Sequence, residues 1–191
     1  MQHGPCPVWM GYLLTSPIRA LAQNPAAILA PYLHEGMTAL DIGCALGFFS
    51  LPMARLVGPS GLVICVDMQE GMLTRLERRA KRKGLHGRIQ AHLCTQSGLG
   101  LEEKAGSADF ALAYAVVHEV PDPPALLGQI EAALKPGGLL LLGEPILHVP
   151  RRDFEETRTL ALAAGFTAAG EPPIGRSRTA LLRKRLSAPS A

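Results

Sequence analysis

Two short apolar segments of this chain each run into an aspartate, and a glycine-containing turn follows the first. The first segment reaches Asp41, the turn holds Gly43 and Gly47, and the second segment ends at Asp67. Short apolar runs bounded by turn residues predict buried strands, and a helix between two of them predicts a parallel pair. Both aspartates should then lie at the carboxyl ends of adjacent strands, where open α/β sheets bind their ligands.

The turn favours an adenosine cofactor, and its residues also indicate which type of adenosine cofactor would bind. Glycines let the backbone approach a ligand closely, and Asp67 could accept hydrogen bonds from both ribose hydroxyls. The spacing of Gly43 and Gly47 does not fit the G-x-G-x-x-G pattern of dinucleotide sites. Asp41 would repel a pyrophosphate but suits a cationic amino-acid head group, as in S-adenosylmethionine. A nicotinamide oxidoreductase is accordingly disfavoured.

With these residues the chain resembles the class I S-adenosylmethionine-dependent methyltransferases, from about Met37 to the C-terminus. Residues 41–47 match the acid-x-Gly-x-Gly-x-Gly motif of that family, with Ala45 at the middle glycine. An alanine there would be strained if its φ angle were positive. The resemblance implies the following cofactor-binding residues: Asp41, Gly43, Cys44, Ala45, Gly47, Asp67, Met68, Thr95, Gln96 and Tyr114. Met68 stands where the family has an apolar residue against the adenine. Thr95 or Gln96 stands where the family often has an acid that binds the adenine amino group.

Two later motifs strengthen the resemblance. Residues 108–122 are similar to the F-D-L…L-H-H-V-P-D pattern of small methyltransferases of the quinone-biosynthesis type, and residues 134–138 to the L-K-P-G-G turn before the fifth strand. The resemblance implies methyl transfer to a small-molecule acceptor by direct displacement. RNA methylation, or cofactor binding without turnover, are the alternatives.

Strands alternating with helices predict a Rossmann-like, doubly wound, mostly parallel sheet with helices on both faces. The resemblance implies seven strands with an antiparallel last strand. We expect strands at 38–42, 62–67, 89–93, 109–113, 139–144, 167–170 and 179–183, and helices at 49–57, 71–84, 124–134 and 153–164. Residues 1–36 should form a helical lid or packing segment, 37–186 the cofactor-binding domain and 187–191 a frayed tail.

His118 is the candidate general base, because it follows the fourth strand on the acceptor side and imidazole titrates near neutral pH. Alternatively, His118 and Glu119 only brace the loop before Pro121. Tyr114, near the end of the same strand, could contact either the cofactor or the acceptor. It is the second tentative catalytic residue.

Other candidate acceptor contacts lie after the fifth strand and near the N-terminus. Glu144 could orient an acceptor, cap a helix or pair with Arg151 or Arg152. His148 lies on the same predicted edge. Trp9 and Tyr12 could wall a small pocket if the N-terminal segment is a lid.

Composition and cysteine spacing exclude several classes. At 191 residues and 48% hydrophobic content, one domain is expected. No apolar stretch suits a membrane span and no signal peptide is evident, so we expect a cytoplasmic protein. The apolar N-terminal segment could pack on a partner, which would give a homodimer. The net charge of +3 makes nucleic acid an unlikely partner. Four cysteines without C-x-x-C spacing predict free thiols and no metal site, and they do not match the thiol clusters of metalloid methyltransferases.

Overall fold

The computed structural model describes residues 23–186, and the strands in this range form one seven-stranded sheet. Its order is β3-β2-β1-β4-β5-β7-β6. The first five strands are parallel to one another, whereas β7 runs antiparallel to both β5 and β6. The strands are β1 (Thr38–Ile42), β2 (Leu62–Asp67), β3 (Ile89–Leu93), β4 (Ala108–Tyr114), β5 (Leu134–Pro145), β6 (Phe166–Gly170) and β7 (Ser177–Lys184). The predicted topology and its antiparallel strand are confirmed.

Five α-helices accompany the sheet within these residues. They are α1 (Pro25–Leu29), α2 (Ser50–Leu56), α3 (Glu70–Arg82), α4 (Pro123–Ala133) and α5 (Arg151–Ala163). Short 3₁₀ turns occur at His86–Arg88, Glu102–Lys104 and Val117–Glu119. No helix in this part of the chain has the length and apolar character needed to cross a membrane.

Each face of the sheet has its own apolar core, as a doubly wound fold requires. Alternate strand residues point to opposite faces, so Leu40 packs with α4 and α5 whereas Ala39 packs with α1, α2 and α3. On the second face, Tyr32 stacks on Phe110 with ring centroids 6.0 Å apart. The segment before β1 thereby packs directly on the sheet.

The fifth strand begins earlier than the predicted residues 139–144. Leu134 already pairs with Ala108, and the register then shifts so that Leu139 pairs with Phe110. Gly137, with a φ of +79°, supplies the left-handed backbone within this irregularity. The L-K-P-G-G residues therefore form a bulged start of β5 rather than a turn outside it.

Several expectations fall on residues outside the described range. They are the lid role of the N-terminal residues, the contacts of Trp9 and Tyr12, the state of Cys6 and the frayed tail at 187–191. Within the range, Cys44, Cys65 and Cys94 are free thiols, as predicted.

Candidate active site

The loop after β1 has a backbone that alternates into the left-handed region. Gly43, Ala45 and Gly47 have φ angles of +71°, +46° and +78°. A Cβ on Gly43 would lie 2.8 Å from Val116 Cγ2, so this position requires glycine for space as well as for conformation. Ala45 therefore has the positive φ angle that would strain an alanine at this position. A non-glycine residue in this region costs about 1–2 kcal/mol.

Asp41 is buried beneath this loop and supports the helix that follows it. Asp41 is only 4% exposed, and the Ser50 hydroxyl donates a 2.5 Å hydrogen bond to Asp41 Oδ2. Phe49, the residue before α2, forms no side-chain capping hydrogen bond. Asp41, on β1, instead provides a hydrogen-bond acceptor at the start of that helix. Burial raises the pKa of Asp41 to about 7, although the Ser50 hydrogen bond opposes the shift.

Asp67 links the ends of β1 and β2. Its Oδ2 accepts the Ala45 amide and its Oδ1 accepts the Gln69 amide, both at 2.9 Å. Burial raises the pKa of Asp67, and these amides lower it. Among residues 23–186, no lysine, arginine or histidine forms an ion pair with Asp41 or Asp67.

The remaining candidates for adenine binding surround the end of β2. Met68 is 39% exposed, and the Cys94 amide donates to the Asp67 carbonyl at 3.0 Å, which places the turn after β3 beside Asp67. Thr95 and Gln96 are exposed in that turn, and the Thr95 hydroxyl lies 2.9 Å from the Ser97 hydroxyl. Cys44 is buried, and burial raises its thiol pKa well above the ordinary value, so it is an unreactive lining residue.

Tyr114, the last residue of β4, contacts the segment that leads into α2. Its ring is 5.0 Å from that of Phe49, and its hydroxyl is 2.6 Å from Gln23 Nε2 and 2.5 Å from the Ser177 hydroxyl. A Cβ on Gly143 would meet the tyrosine ring at 2.4 Å. These contacts give Tyr114 a bracing position between β4, β5 and α2, with 8% exposure.

His118 and Glu144 form a pair across the ends of β4 and β5. The distance from His118 Nδ1 to Glu144 Oε2 is 2.7 Å, and Glu144 is 2% exposed. Glu144 Oε1 accepts the Val117 amide at 3.0 Å and the His118 amide at 3.3 Å. The hydrogen bond to Glu144 is the largest cause of a raised pKa of His118, which burial partly offsets. Of the alternatives for Glu144, the structure shows a cap on the first amides of the 3₁₀ turn Val117–Glu119 and a pairing with His118, but no ion pair with Arg151 or Arg152.

The other groups around the imidazole are more exposed. Glu119 Oε1 lies 3.9 Å from His118 Nε2, and burial is the main cause of the raised pKa of Glu119. His148 is exposed, with its ring centroid 6.5 Å from that of His118. Leu147, beside it, is 77% exposed. His118 itself has a side chain 28% exposed, so a molecule at this edge could reach the imidazole.

The donor set fits S-adenosylmethionine. Two strand-end carboxylates without a cationic partner among the described residues suit an ammonium group and ribose hydroxyls. Each carboxylate has about four acceptor positions, so Asp67 can bind hydroxyls while it holds both amides. Gly43 keeps the loop free of a side chain where it packs against Val116.

Ser50 is the residue of this site that sequence reasoning missed. Its hydroxyl holds Asp41, and its position at the start of α2 is one where serine is common. The signal was present as a serine directly after the apolar pair Phe48 and Phe49. The pairing of Ser50 with an acid on β1, however, has no local signature.

Comparison with known proteins agrees with this geometry. A family model described as a methyltransferase domain matches residues 33–164. The chain is 30% identical over 158 residues to an arsenite methyltransferase from Aquipseudomonas alcaligenes, covering 80% of this chain and 45% of that protein. It is 37% identical over 126 residues to a ubiquinone biosynthesis O-methyltransferase from Caulobacter vibrioides, covering 65% and 47%.

The chain spans less than half the length of these curated relatives. Among solved structures, it is similar to an S-adenosylmethionine-dependent methyltransferase from Aquifex aeolicus, with a TM-score of 0.82 and 21% identity. That similarity covers 93% of this chain and 98% of the other. At this identity it shows a shared fold.

Proposed function

Because this chain belongs to the S-adenosylmethionine-dependent methyltransferase family, we propose that it transfers a methyl group from S-adenosylmethionine to a small-molecule acceptor. The observation that carries the proposal is the composition of one sheet edge. Asp67, Asp41 and Glu144 lie at the carboxyl ends of β2, β1 and β5, and the His118 loop follows β4. These strands are neighbours in the order β2-β1-β4-β5. Adjacent strands lie about 4.8 Å apart, so binding acids and a base share a region the size of a small-molecule site.

The proposed binding roles follow from the charges at this edge. Asp41 binds the ammonium of the methionine portion, Asp67 accepts the ribose hydroxyls, and Met68 with the turn at Thr95 and Gln96 contacts the adenine. The cofactor, when bound, supplies a methyl group on a positively charged sulfur, which is a good leaving group. The protein then has mainly to align the acceptor with that methyl group, and such positioning contributes roughly 7–11 kcal/mol.

The two relatives described above and the charges at this edge favour a small acceptor over RNA, although a 23S rRNA methyltransferase from Acinetobacter baumannii also matches 34% of this chain. The two curated relatives described above are named for arsenite and for ubiquinone biosynthesis, neither of which is a macromolecule. The groups around His118 are Glu119, Glu144 and His148, so carboxylates rather than a set of cations surround the proposed acceptor position. A phosphate backbone is bound by lysine and arginine.

The test begins with isothermal titration of the protein with S-adenosylhomocysteine and, separately, with NAD. Micromolar binding of the first and none of the second supports the cofactor assignment, and the reverse result contradicts it. Labelled S-adenosylmethionine is then supplied with a panel of small phenols, thiols and amines, and in parallel with total RNA. Label in a small acceptor supports the proposal, and label in RNA alone replaces it with RNA methylation. Binding without any labelled product would identify a non-catalytic cofactor-binding protein.

A further inference from the structure

The carboxyl group of Glu144 has a different partner at each oxygen, and this difference determines the protonation of His118. Two backbone amides, of Val117 and His118, point at Oε1. The imidazole Nδ1 lies 2.7 Å from Oε2. A carboxylate accepts hydrogen bonds and cannot donate them. Nδ1 therefore carries the proton, and the lone pair of the neutral ring is on Nε2.

Nε2 is on the side of the ring opposite Nδ1, away from buried Glu144, and part of the His118 side chain is exposed. The His118 side chain is 28% exposed, whereas that of Glu144 is 3% exposed. Glu119 Oε1, at 3.9 Å from Nε2, lies beyond ordinary hydrogen-bond distance. A molecule bound at this edge would thus meet an unprotonated nitrogen backed by a buried negative charge.

Building on the proposed function, we infer that Glu144 is a positioning residue that makes His118 Nε2 a general base, and that the acceptor is a weakly acidic hydroxyl such as a phenol or enol. In the reaction the hydroxyl proton moves to Nε2, and the oxygen forms a bond to the methyl carbon. The bond from that carbon to sulfur breaks, and its electron pair stays on sulfur. Glu144 stabilises the imidazolium that results, and the proton leaves through the exposed edge of the ring.

A hydroxyl is the acceptor that most needs this arrangement. A phenol has a pKa of about 10, so it is almost entirely protonated at neutral pH. A neutral amine already presents a lone pair, and a thiol with a pKa of about 8.5 ionises more readily without help. General bases work best when their pKa lies near the working pH. The Glu144 hydrogen bond and the Glu119 charge both raise the pKa of His118, and His148 is the other titratable group facing the ring.

Glu144→Gln is the informative substitution, because the amide can adopt only one favourable orientation. The two backbone amides at Oε1 require an oxygen, so the new NH₂ group must face Nδ1. Nδ1 would then accept a hydrogen bond, and the proton would move to Nε2. The variant keeps the size and shape of the side chain while it reverses the ring tautomer.

The first measurement is long-range ¹H–¹⁵N NMR on protein labelled at histidine, with the His118→Ala spectrum assigning the signals. At a pH above the His118 pKa, where the ring is neutral, wild-type His118 should be protonated on Nδ1 and bare on Nε2, and Glu144→Gln should show the opposite. This readout needs neither cofactor nor acceptor, so it stands apart from the proposed function. A wild-type ring protonated on Nε2 would overturn the inference even if the variant did not fold.

The second measurement uses phenols of decreasing hydroxyl pKa as probes, from 4-methoxyphenol to 4-nitrophenol, at mildly alkaline pH. Glu144→Gln should lower kcat roughly 100-fold or more for the least acidic phenol. It should have little effect with 4-nitrophenol, which is already ionised. An equal loss across the series would contradict the inference, and so would the absence of any phenol methylation by wild-type protein that binds S-adenosylhomocysteine. Glu103→Gln is the control, because Glu103 is an exposed carboxylate in the Glu102–Lys104 turn. If S-adenosylhomocysteine does not bind the wild type, the proposed function fails while the tautomer result still stands.

Discussion

The loops after β1 and β2 and the loops after β4 and β5 use the same local arrangement. In each half a strand-end carboxylate accepts backbone amides from a neighbouring loop. Asp67 holds the Ala45 and Gln69 amides, and Glu144 holds the Val117 and His118 amides. The two halves differ in where the negative charge is directed.

In the cofactor half, Asp41 and Asp67 form no ion pair with another described residue, so their charge remains available to a bound cation or to hydroxyls. In the acceptor half, the charge of Glu144 is directed at His118 inside the protein. In the proposed mechanism, the same structural arrangement binds a ligand in one half and prepares a base in the other. Five measurements test this comparison, starting with the largest expected effect.

Replacing the base should affect the acceptor half alone. His118→Ala is expected to reduce methyl transfer by roughly 10²- to 10⁴-fold, the usual contribution of a general base. The affinity for S-adenosylhomocysteine, measured by titration calorimetry, should stay within about twofold, since that ligand contacts the other half in the proposal. Parallel losses of binding and turnover would instead make His118 a structural residue. His86→Ala, on an exposed turn away from this edge, serves as the control.

Removing the acid of β2 should affect the cofactor half. Asp67→Ala is expected to weaken S-adenosylhomocysteine by roughly ten- to a hundredfold, at about 1.4 kcal/mol per decade. The change removes the ribose acceptor and also the partner of the Ala45 amide. Asp109→Ala is the matched control, because Asp109 lies at the opposite end of the sheet, paired with Lys135. Unchanged affinity in Asp67→Ala would refute the assigned role.

The affinity for S-adenosylhomocysteine should depend on pH through Asp41. The pKa of Asp41 is about 7 in the folded protein, so the carboxylate is largely protonated below that pH and binds an ammonium group poorly. We expect affinity to decrease by up to about tenfold per pH unit below 7 and to level off above it. Titrations at several pH values check this, and Asp41→Asn should bind weakly at every pH. A flat profile in the wild type would contradict the role of Asp41.

The same acid should make the free protein less stable as pH rises. The folded pKa of about 7 lies above 3.8, the ordinary pKa of an aspartate, so the folded state binds a proton more tightly than the unfolded state does. By linkage, the contribution of Asp41 to stability decreases between about pH 4 and pH 7 and is constant above. Asp41→Asn should therefore melt at a higher temperature than wild type at pH 8 and closer to it at pH 5. The reverse order would show that Asp41 is stabilised as a carboxylate.

The smallest expected effect concerns the strained loop residue. Ala45→Gly should raise the free energy of unfolding by about 1 kcal/mol, because glycine adopts a φ of +46° without the Cβ penalty. For a domain of this size that corresponds to about 2–4 °C in Tm. Ala115→Gly, at a φ of +57° in the acceptor half, should act alike. Ala132→Gly, within α4, should have the opposite sign, and stabilisation there would contradict the conformational explanation.

The strands that could be predicted are those whose limits depend on nearby residues. Strands β1, β2 and β3 have the predicted bounds, because each is a short apolar run between turn residues. The predicted start of β5, at residue 139, was wrong by several residues, because the strand begins at Leu134. Its bulged pairing with β4 depends on which residues of another strand stand opposite, and that information is not local.

Chain-local spacing, together with the family resemblance, was enough to predict the fold. It also nominated Asp41 and Asp67 as cofactor acids and His118 as a candidate base, since each stands at or near the end of a predicted strand. Only the tertiary structure decided how Ser50 holds Asp41, that Ala45 is left-handed, and that Glu144 pairs with His118. Residues 118 and 144 meet because β4 and β5 are neighbours in register, so their ends bring the two loops together. A hydrogen bond of 2.7 Å depends on that alignment of strands, and no pattern within either segment encodes it.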